Sequence, residues 1–469
     1  MNKKSLIFIS VFLLMSFTLF YYFFKNDISK KTKKPNVIFI AVDDLRPELN
    51  CYGSSNIVSP NIDELAKSSF LYENAVCNYP VCGASRASLL TGLRPNENRF
   101  KTYYSRMDED ADEFPSIPEW FKNNGYYSVC NGKISHFNND SPESWSEPSW
   151  RNDNDWRDYQ TTKNIKIATT NNGHGPAYEF GENLNSNYAD TKMIDKSIND
   201  IERLKSNSKP FFLAVGFIKP HLPFNAPKKY WDLYDSTNLK LANNRYKPID
   251  APTISMHNYA ELRKYSNIPN GKQSIPDSIQ HELIHGYSAC VSYIDAEFGR
   301  LINSLKKNKL FDDAVIVLWG DHGWQLGEHD LWAKHCNYQT SLKVPLLIKY
   351  PNQKNGKKIN SIVELLDLYP TLCDLCSLPK PNHLQGKSLC KESSLKKENV
   401  GYSKYQKGET ATTLNFSYTE WINTKPNEES NKMMYDLNND PQENINIINK
   451  EYTIQKELAI KLDSVRNLN

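Results

Sequence analysis

The 469-residue chain lacks a dominant charge of either sign, since 57 Lys and Arg stand against 54 Asp and Glu for a net charge of +3. Without a basic stripe, nucleic acid is excluded as the main partner. The chain lacks internal repeats, which sets aside repeat architectures. It also lacks a second cysteine pair to match Cys373 and Cys376. That CxxC lies in the apolar helical stretch "LYPTLCDLC" and therefore reads as core or disulfide, not as a metal or redox site. No small-x-small cleavage site and no cysteine suited to lipid attachment follows the apolar run near the N-terminus.

That run is the first positive feature. Lys3 and Lys4 precede an apolar segment from Leu6 to Phe24, interrupted only by Ser10, Ser16 and Thr18. This is a signal peptide or a signal anchor, and export to the periplasm or cell surface is expected. Its length is near the roughly 20 residues that span a bilayer, so a membrane anchor at the N-terminus is a second expectation. The basic spacer Lys30 to Lys34 works against export under the positive-inside rule. Nine cysteines in an exported protein could form disulfides, and the odd number leaves one over on any full pairing. The Lys-, Asn- and Ile-rich composition is of a bacterial type. Aromatics reach 12%, which suits stacking on sugars as well as ordinary cores.

The length exceeds one core of usual size, so two domains are expected. Four apolar runs read as strands buried on both faces, and each leads into a polar cluster. They are "NVIFIAV" (36–42), "YYSVC" (126–130), "FFLAVGF" (211–217) and "AVIVLW" (314–319). Helical patterns begin at Ser59-Pro60 and just after Cys82, and others cover about 188–205 and 281–307. Alternating strands and helices predict an α/β sandwich with a mostly parallel central sheet. Ligands then lie beyond the carboxyl ends of the strands, where the polar clusters fall. The stretch 138–187 has little periodicity and is expected as a long surface insertion. After about residue 388 a polar linker leads to "NFSYTEWI", "KMMYDL" and a closing helix near 451–466. The expected divisions are thus 1–34, 35–388 for the main α/β domain, and 389–469 for a small C-terminal α+β subdomain.

Asp43-Asp44 at one strand end and Asp321-His322 at another form an oxygen-rich set suited to a hard divalent cation such as calcium. An isolated Asp-Asp pair is more often a turn or cap; two such clusters at strand ends shift that balance. Arg86, Lys133, His136, His221 and Lys334 supply cations and imidazoles that can clamp a tetrahedral oxyanion and move protons. A helix starting after Cys82 adds backbone N–H groups and a positive dipole end.

The segments "NVIFIAVDDLRPELNCYG", "VCGASRASLLTGLRP", "GKISH", "FFLAVGFIKPHLPF" and "VLWGDHGWQLGEHDLWAKH" together resemble the type I sulfatases. The likeness is greatest to the iduronate-2-sulfatase group and runs from about residue 35 to the C-terminus, weakest in 138–187 and the tail. It implies an alkaline phosphatase-like sandwich and a sulfuric ester hydrolase. It also implies that a formylglycine-generating maturation enzyme oxidises Cys82 to 3-oxoalanine (formylglycine), whose hydrate is the nucleophile. Asp43, Asp44, Asp321, His322 and residue 82 would hold Ca2+. Arg86 and Lys133 would hold hydrate and sulfate, His136 would deprotonate the hydrate's second hydroxyl, and His221 or Lys334 would protonate the leaving sugar oxygen.

One position departs from the family pattern: Ala84 stands where most members carry proline, which makes maturation depend on the host's system. The implied substrate is a sulfated polysaccharide or oligosaccharide. Exo-removal of sulfate from the 2-position of a uronic acid is the first candidate, with glycosaminoglycans and algal polysaccharides such as ulvan as sources. Two alternatives stay open. One is a phosphatase or phosphodiesterase of the same superfamily; the other is a non-catalytic sulfated-glycan binding protein.

Overall fold

The four apolar runs become adjacent strands of one eight-stranded sheet, three at its centre and the run 126–130 at one edge. The computed structural model describes residues 34–466 apart from 154–155, 182–184, 259, 272–273, 422–430 and 451. The signal or anchor expected in residues 1–34 falls, but for Lys34, outside the described residues. In chain order the strands are β1 (Val37–Val42), β2 (Phe70–Val76), β3 (Tyr127–Gly132), β4 (Tyr178–Gly181), β5 (Phe211–Phe217) and β6 (Phe224–Pro227). Then follow β7 (Val315–Gly320), β8 (Gln325–Leu326), β9 (Trp332–Ala333), β10 (Lys343–Val344), β11 (Leu346–Lys349) and β12 (Lys357–Glu364). The last four are β13 (Gly401–Tyr405), β14 (Gly408–Thr412), β15 (Phe416–Trp421) and β16 (Lys432–Asp436).

The main sheet runs β10-β2-β11-β7-β1-β5-β3, with β12 on the other side of β2. β1 pairs in parallel with β5 and β7, β3 with β5, and β12 with β2. β10 and β11 run antiparallel and are separated by Pro345, which cannot donate to the ladder. The continuous apolar character of the central strands has a direct cause. Ile38, Ile40 and Val42 enter one core with the helices Ala189–Leu204 and Asp277–Lys307. Val37, Phe39 and Ala41 enter a second core with the helices Cys82–Thr91 and Leu368–Leu375. With helices on both faces no strand position meets water, and each such side chain stabilises the fold by about 1.5–3 kcal/mol.

The strands β2, β10, β11 and β12 carried no comparable signal. β12 lies at an edge and exposes Lys357, Lys358 and Asn360, so it needs no apolar run. The stretch 138–187 differs from the expected irregular insertion. It holds the helix Thr162–Thr170 and β4, which pairs in parallel with β6, and it buries Trp145, Tyr159 and Ala177. The helix buries only Ala168, which is why no periodicity was visible.

Beyond residue 388, β13 to β16 form an antiparallel sheet covered by the helix Tyr452–Arg466 through Leu458 and Leu462. The two strands expected there are β15 and β16, and they pair antiparallel. The disulfide expectation is corrected: all nine cysteines are free and seven are buried. Cys373 and Cys376 are core residues of the second cluster. No helix among the described residues is long and apolar enough to cross a membrane.

Candidate active site

Val42 of β1 aligns with Phe217 of β5 and Gly320 of β7, so Asp43, Asp44, Asp321 and His322 leave the sheet at one edge. β3 reaches the same edge through two glycines. Gly132 has φ +80°, and a Cβ there would lie 2.2 Å from the Gly216 carbonyl oxygen; a Cβ on Gly216 would lie equally close to the Lys133 oxygen. This close approach lets Lys133 N–H donate to the Gly216 oxygen at 2.8 Å and fixes the lysine beside Asp43.

Cys82 opens the helix Cys82–Thr91, following an extended Val81, and Gly92 ends it in the left-handed conformation. Every residue of this helix is buried, as its small side chains allow. Arg86 lies one turn on and shares the face of Cys82. Its Nε donates to Asp321 Oδ2 at 2.8 Å, and its terminal nitrogens donate to Asp43 Oδ1 at 3.3 Å and to the carbonyls of Lys133 and Ile134. Lys133 Nζ pairs with Asp43 Oδ2. Lys334 Nζ lies 3.0 Å from Asp44 Oδ1 and 5.0 Å from the centre of the Trp324 ring. Three buried carboxylates thus face three buried cations around residue 82, a balance that a buried site requires.

His322 Nε2 lies 3.2 Å from Cys82 Sγ and 3.5 Å from Asp44 Oδ1. Ligand atoms of Asp43, Asp44, Cys82 and His322 all fall within 4.8 Å of one another, so these residues fit a cation. Asp321 stands beside this group. Its oxygens accept from Arg86, from Asp44 N–H at 3.1 Å and from His322 N–H at 3.0 Å. Electrostatics points the same way. Burial, together with the neighbouring Asp43 charge, pushes the Asp44 carboxyl well above the ordinary range despite Lys334. Burial also opposes the Asp43 charge, but Lys133 and Arg86 outweigh it and hold that carboxyl low. A hard cation would relieve the Asp44 penalty directly.

Burial, with Asp43 nearby, pushes the Cys82 thiol up to about 12, so the unmodified side chain is no thiolate nucleophile at neutral pH. Burial and the charge of Lys133 hold His136 down to about 2, which leaves it neutral, with Nδ1 open to accept a proton. Burial, Lys334 and Lys133 hold His221 down to about 3. Its Nδ1 lies 2.6 Å from the Leu222 carbonyl, which assigns the proton to Nδ1. Burial opposes the Lys334 charge, yet Asp44 and Glu261 outweigh it and keep the ammonium charged.

All ten expected site residues therefore meet at one strand edge. Glu261 was missed. Its Oε1 lies 3.2 Å from Lys334 Nζ and 3.4 Å from His221 Nε2. It comes from the irregular segment "YAELRKY", which has no motif or periodicity to mark it.

The chain is similar to proteins of one family along most of its length. Residues 35–378 match the family described as "Sulfatase", and residues 327–468 match "N-sulphoglucosamine sulphohydrolase, C-terminal". Iduronate 2-sulfatase of Homo sapiens is 30% identical over 86% of this chain and 88% of that protein. A sulfatase of Formosa agariphila is 32% identical over 93% and 87%. A protein solved in complex with its substrate D-glucosamine-2-N,6-O-disulfate matches with a TM-score of 0.74 at 23% identity, covering 93% of this chain and 98% of that one. That likeness carries the fold, the alkaline phosphatase-like sandwich expected from the sequence. The chain belongs to the sulfatase family and is a sulfuric ester hydrolase.

Proposed function

We propose that the protein removes sulfate from a sulfated oligosaccharide or polysaccharide, using Cys82 oxidised to formylglycine and a calcium ion. The observation that supports this most is the enclosure of Cys82. It stands at a buried helix start with His322 at 3.2 Å, Arg86 one turn on, and Lys133 and Lys334 on the carboxylates alongside. The aldehyde, once hydrated, supplies one hydroxyl for attack on sulfur and a second that allows the enzyme-bound sulfate to be expelled. A cation there would be held by Asp43, Asp44, Asp321, His322 and residue 82 and would supply charge that offsets the anionic sulfate oxygens.

The remaining steps belong to the chain's own side chains. Arg86, fixed on Asp321 and Asp43, and Lys133, fixed on Asp43, present preorganised positive charge to the sulfate, where it counts most as charge develops. His136, whose buried Nδ1 has no hydrogen-bond partner, is assigned to take the proton from the second hydroxyl. Of the two candidates for protonating the sugar oxygen, Lys334 holds a proton at neutral pH and His221 does not. Lys334 is the first candidate for the donor, with His221 as the second.

A glycosaminoglycan with 2-sulfated uronic acid is the first substrate candidate. Relatives named iduronate 2-sulfatase support it. Ulvan is the second candidate. We place the protein outside the cytoplasm, in the periplasm or at the cell surface, on the strength of Lys3, Lys4 and the run Leu6–Phe24.

Peptide mass spectrometry of protein made in its native host is expected to find the Cys82 aldehyde. Free-sulfate assays over a panel of defined sulfated oligosaccharides are expected to find turnover that stops on chelation and returns with Ca2+. A thiol throughout with no sulfate released sinks the enzyme reading in favour of a glycan-binding protein. Turnover of phosphate esters alone favours the phosphatase alternative.

A further inference from the structure

We propose that Tyr103 and Tyr104 form an aromatic platform at the mouth of the catalytic pocket, and that it binds the apolar face of a second sugar ring of the substrate. The inference rests on the sulfated-glycan reading above and adds to it a site one ring away from the scissile sulfate.

Tyr103 and Tyr104 are 45% and 62% exposed. Their ring centres lie 4.0 Å apart at an interplanar angle of 36°. Tyr104 also lies nearly parallel to the Phe137 ring, at 12° and 6.5 Å. Contiguous exposed apolar surface rimmed by polar residues marks an interaction site. Here the location says what is bound. The edge of Tyr103 meets the ring of His136, with centres 5.9 Å apart. The Tyr103 backbone packs on Gly83, where an added Cβ would lie 2.3 Å from the Tyr103 oxygen. The platform is thus continuous with the nucleophile's helix on one side and with the proton acceptor on the other.

The platform is also held in place before any ligand arrives. The Lys101 carbonyl accepts from Tyr79 Oη at 2.7 Å, and Phe100 N–H donates to Asp110 at 3.0 Å. At the far end, Met107 N–H donates to Asp140 at 3.0 Å. A rigid aromatic surface binds at low entropic cost. Pyranose rings present C–H groups on one face, which match the negative face of an aromatic ring, while their hydroxyl and sulfate edges stay in water. A sulfated chain entering the pocket places its next ring over this loop.

The test uses matured protein and four probe sets. Heparin-, chondroitin-sulfate- and ulvan-derived tetrasaccharides are each compared with the corresponding sulfated monosaccharide, and 4-nitrocatechol sulfate reports catalysis alone. In the wild type at least one tetrasaccharide is expected to show a lower KM than its monosaccharide. Tyr104→Ala is expected to remove that advantage, raising the tetrasaccharide KM by about tenfold with kcat unchanged. Turnover of the aryl sulfate and the melting temperature should stay as in the wild type, and Tyr104→Trp should restore the lower KM. Equal KM for every tetrasaccharide and monosaccharide pair overturns the platform and leaves the glycan reading standing. An advantage that survives Tyr104→Ala does the same. Turnover of the aryl sulfate but of no glycan overturns both.

Discussion

Glu261 Oε1 lies between two groups of the leaving-oxygen side, 3.2 Å from Lys334 Nζ and 3.4 Å from His221 Nε2. The first distance makes it an ion-pair partner of Lys334, while neutral His221, with its proton on Nδ1, lies beside it. Partial burial opposes its charge, but Lys334 and His221 outweigh this and hold the carboxyl well below the usual range. Glu261→Gln keeps the shape and removes the charge. We expect kcat on a sulfated sugar to fall by about tenfold, or 1.4 kcal/mol, with the KM little changed. A rise in KM with kcat intact would instead make Glu261 a substrate-binding group.

Lys334 is the protonated group on that side, so its importance should depend on the leaving group. With a poor leaving group such as a sugar hydroxyl, Lys334→Gln should lose about 10²- to 10⁴-fold, the usual worth of general acid catalysis. With 4-nitrocatechol sulfate, whose leaving group needs no proton, the loss should be far smaller. Comparing the two substrates in one variant cancels any general loss of stability from the broken Lys334–Asp44 pair. Equal losses would move the acid role to His221.

Residue 84 lies in the first turn of the helix that Cys82 opens, where backbone N–H groups have no partner one turn back. A proline there removes no helical hydrogen bond. Ala84→Pro is expected to melt within about 4 °C of the wild type, a change of under 1 kcal/mol. Conversion of Cys82 in hosts that favour the proline motif should rise, as read by peptide mass spectrometry. An unfolded variant, or unchanged conversion in every host, would remove Ala84 as the limit on maturation.

Away from the site, Glu443 is buried and accepts from Gln339 N–H at 2.7 Å. Burial pushes its carboxyl up to about 7 from an ordinary 4.5. The folded state then holds a proton that the unfolded chain has released between those values. This contribution to stability is fully present below about pH 4.5 and is lost as pH rises through 7. Glu443→Gln has nothing to lose over that range. Its stability relative to the wild type should therefore increase between pH 5 and pH 8, by up to about 3 kcal/mol. Urea unfolding at the two pH values measures this, and parallel pH dependence of the two proteins would refute it.

The strands β1, β3, β5 and β7 were legible because burial on both faces leaves an unbroken apolar run: the run at 211–217 is β5 to the residue, and the other three shift by one or two. β12 was not, because its buried residues include Ser361 and Glu364 while Lys357, Lys358 and Asn360 are exposed. Neither was the Thr162–Thr170 helix, which buries only Ala168. Cys82, Arg86 and the acidic strand ends were legible as motifs, because their chemistry depends on residues close in sequence.

By itself, then, the sequence determined the Cys82 motif, the parallel α/β arrangement and the charges that gather at its strand ends. Tertiary structure alone decided which charges meet. Asp321 is shared between Arg86 and two backbone N–H groups, Lys334 is paired with Asp44, and Glu261 is drawn in from an unmarked loop. It also decided that the cysteines stay unpaired and that Tyr103 lies against the His136 ring. The reason is physical. Local spacing records what one strand or helix must bury. Contacts across hundreds of residues depend on strand order and on close approaches such as Gly132 against Gly216, and no local pattern encodes those.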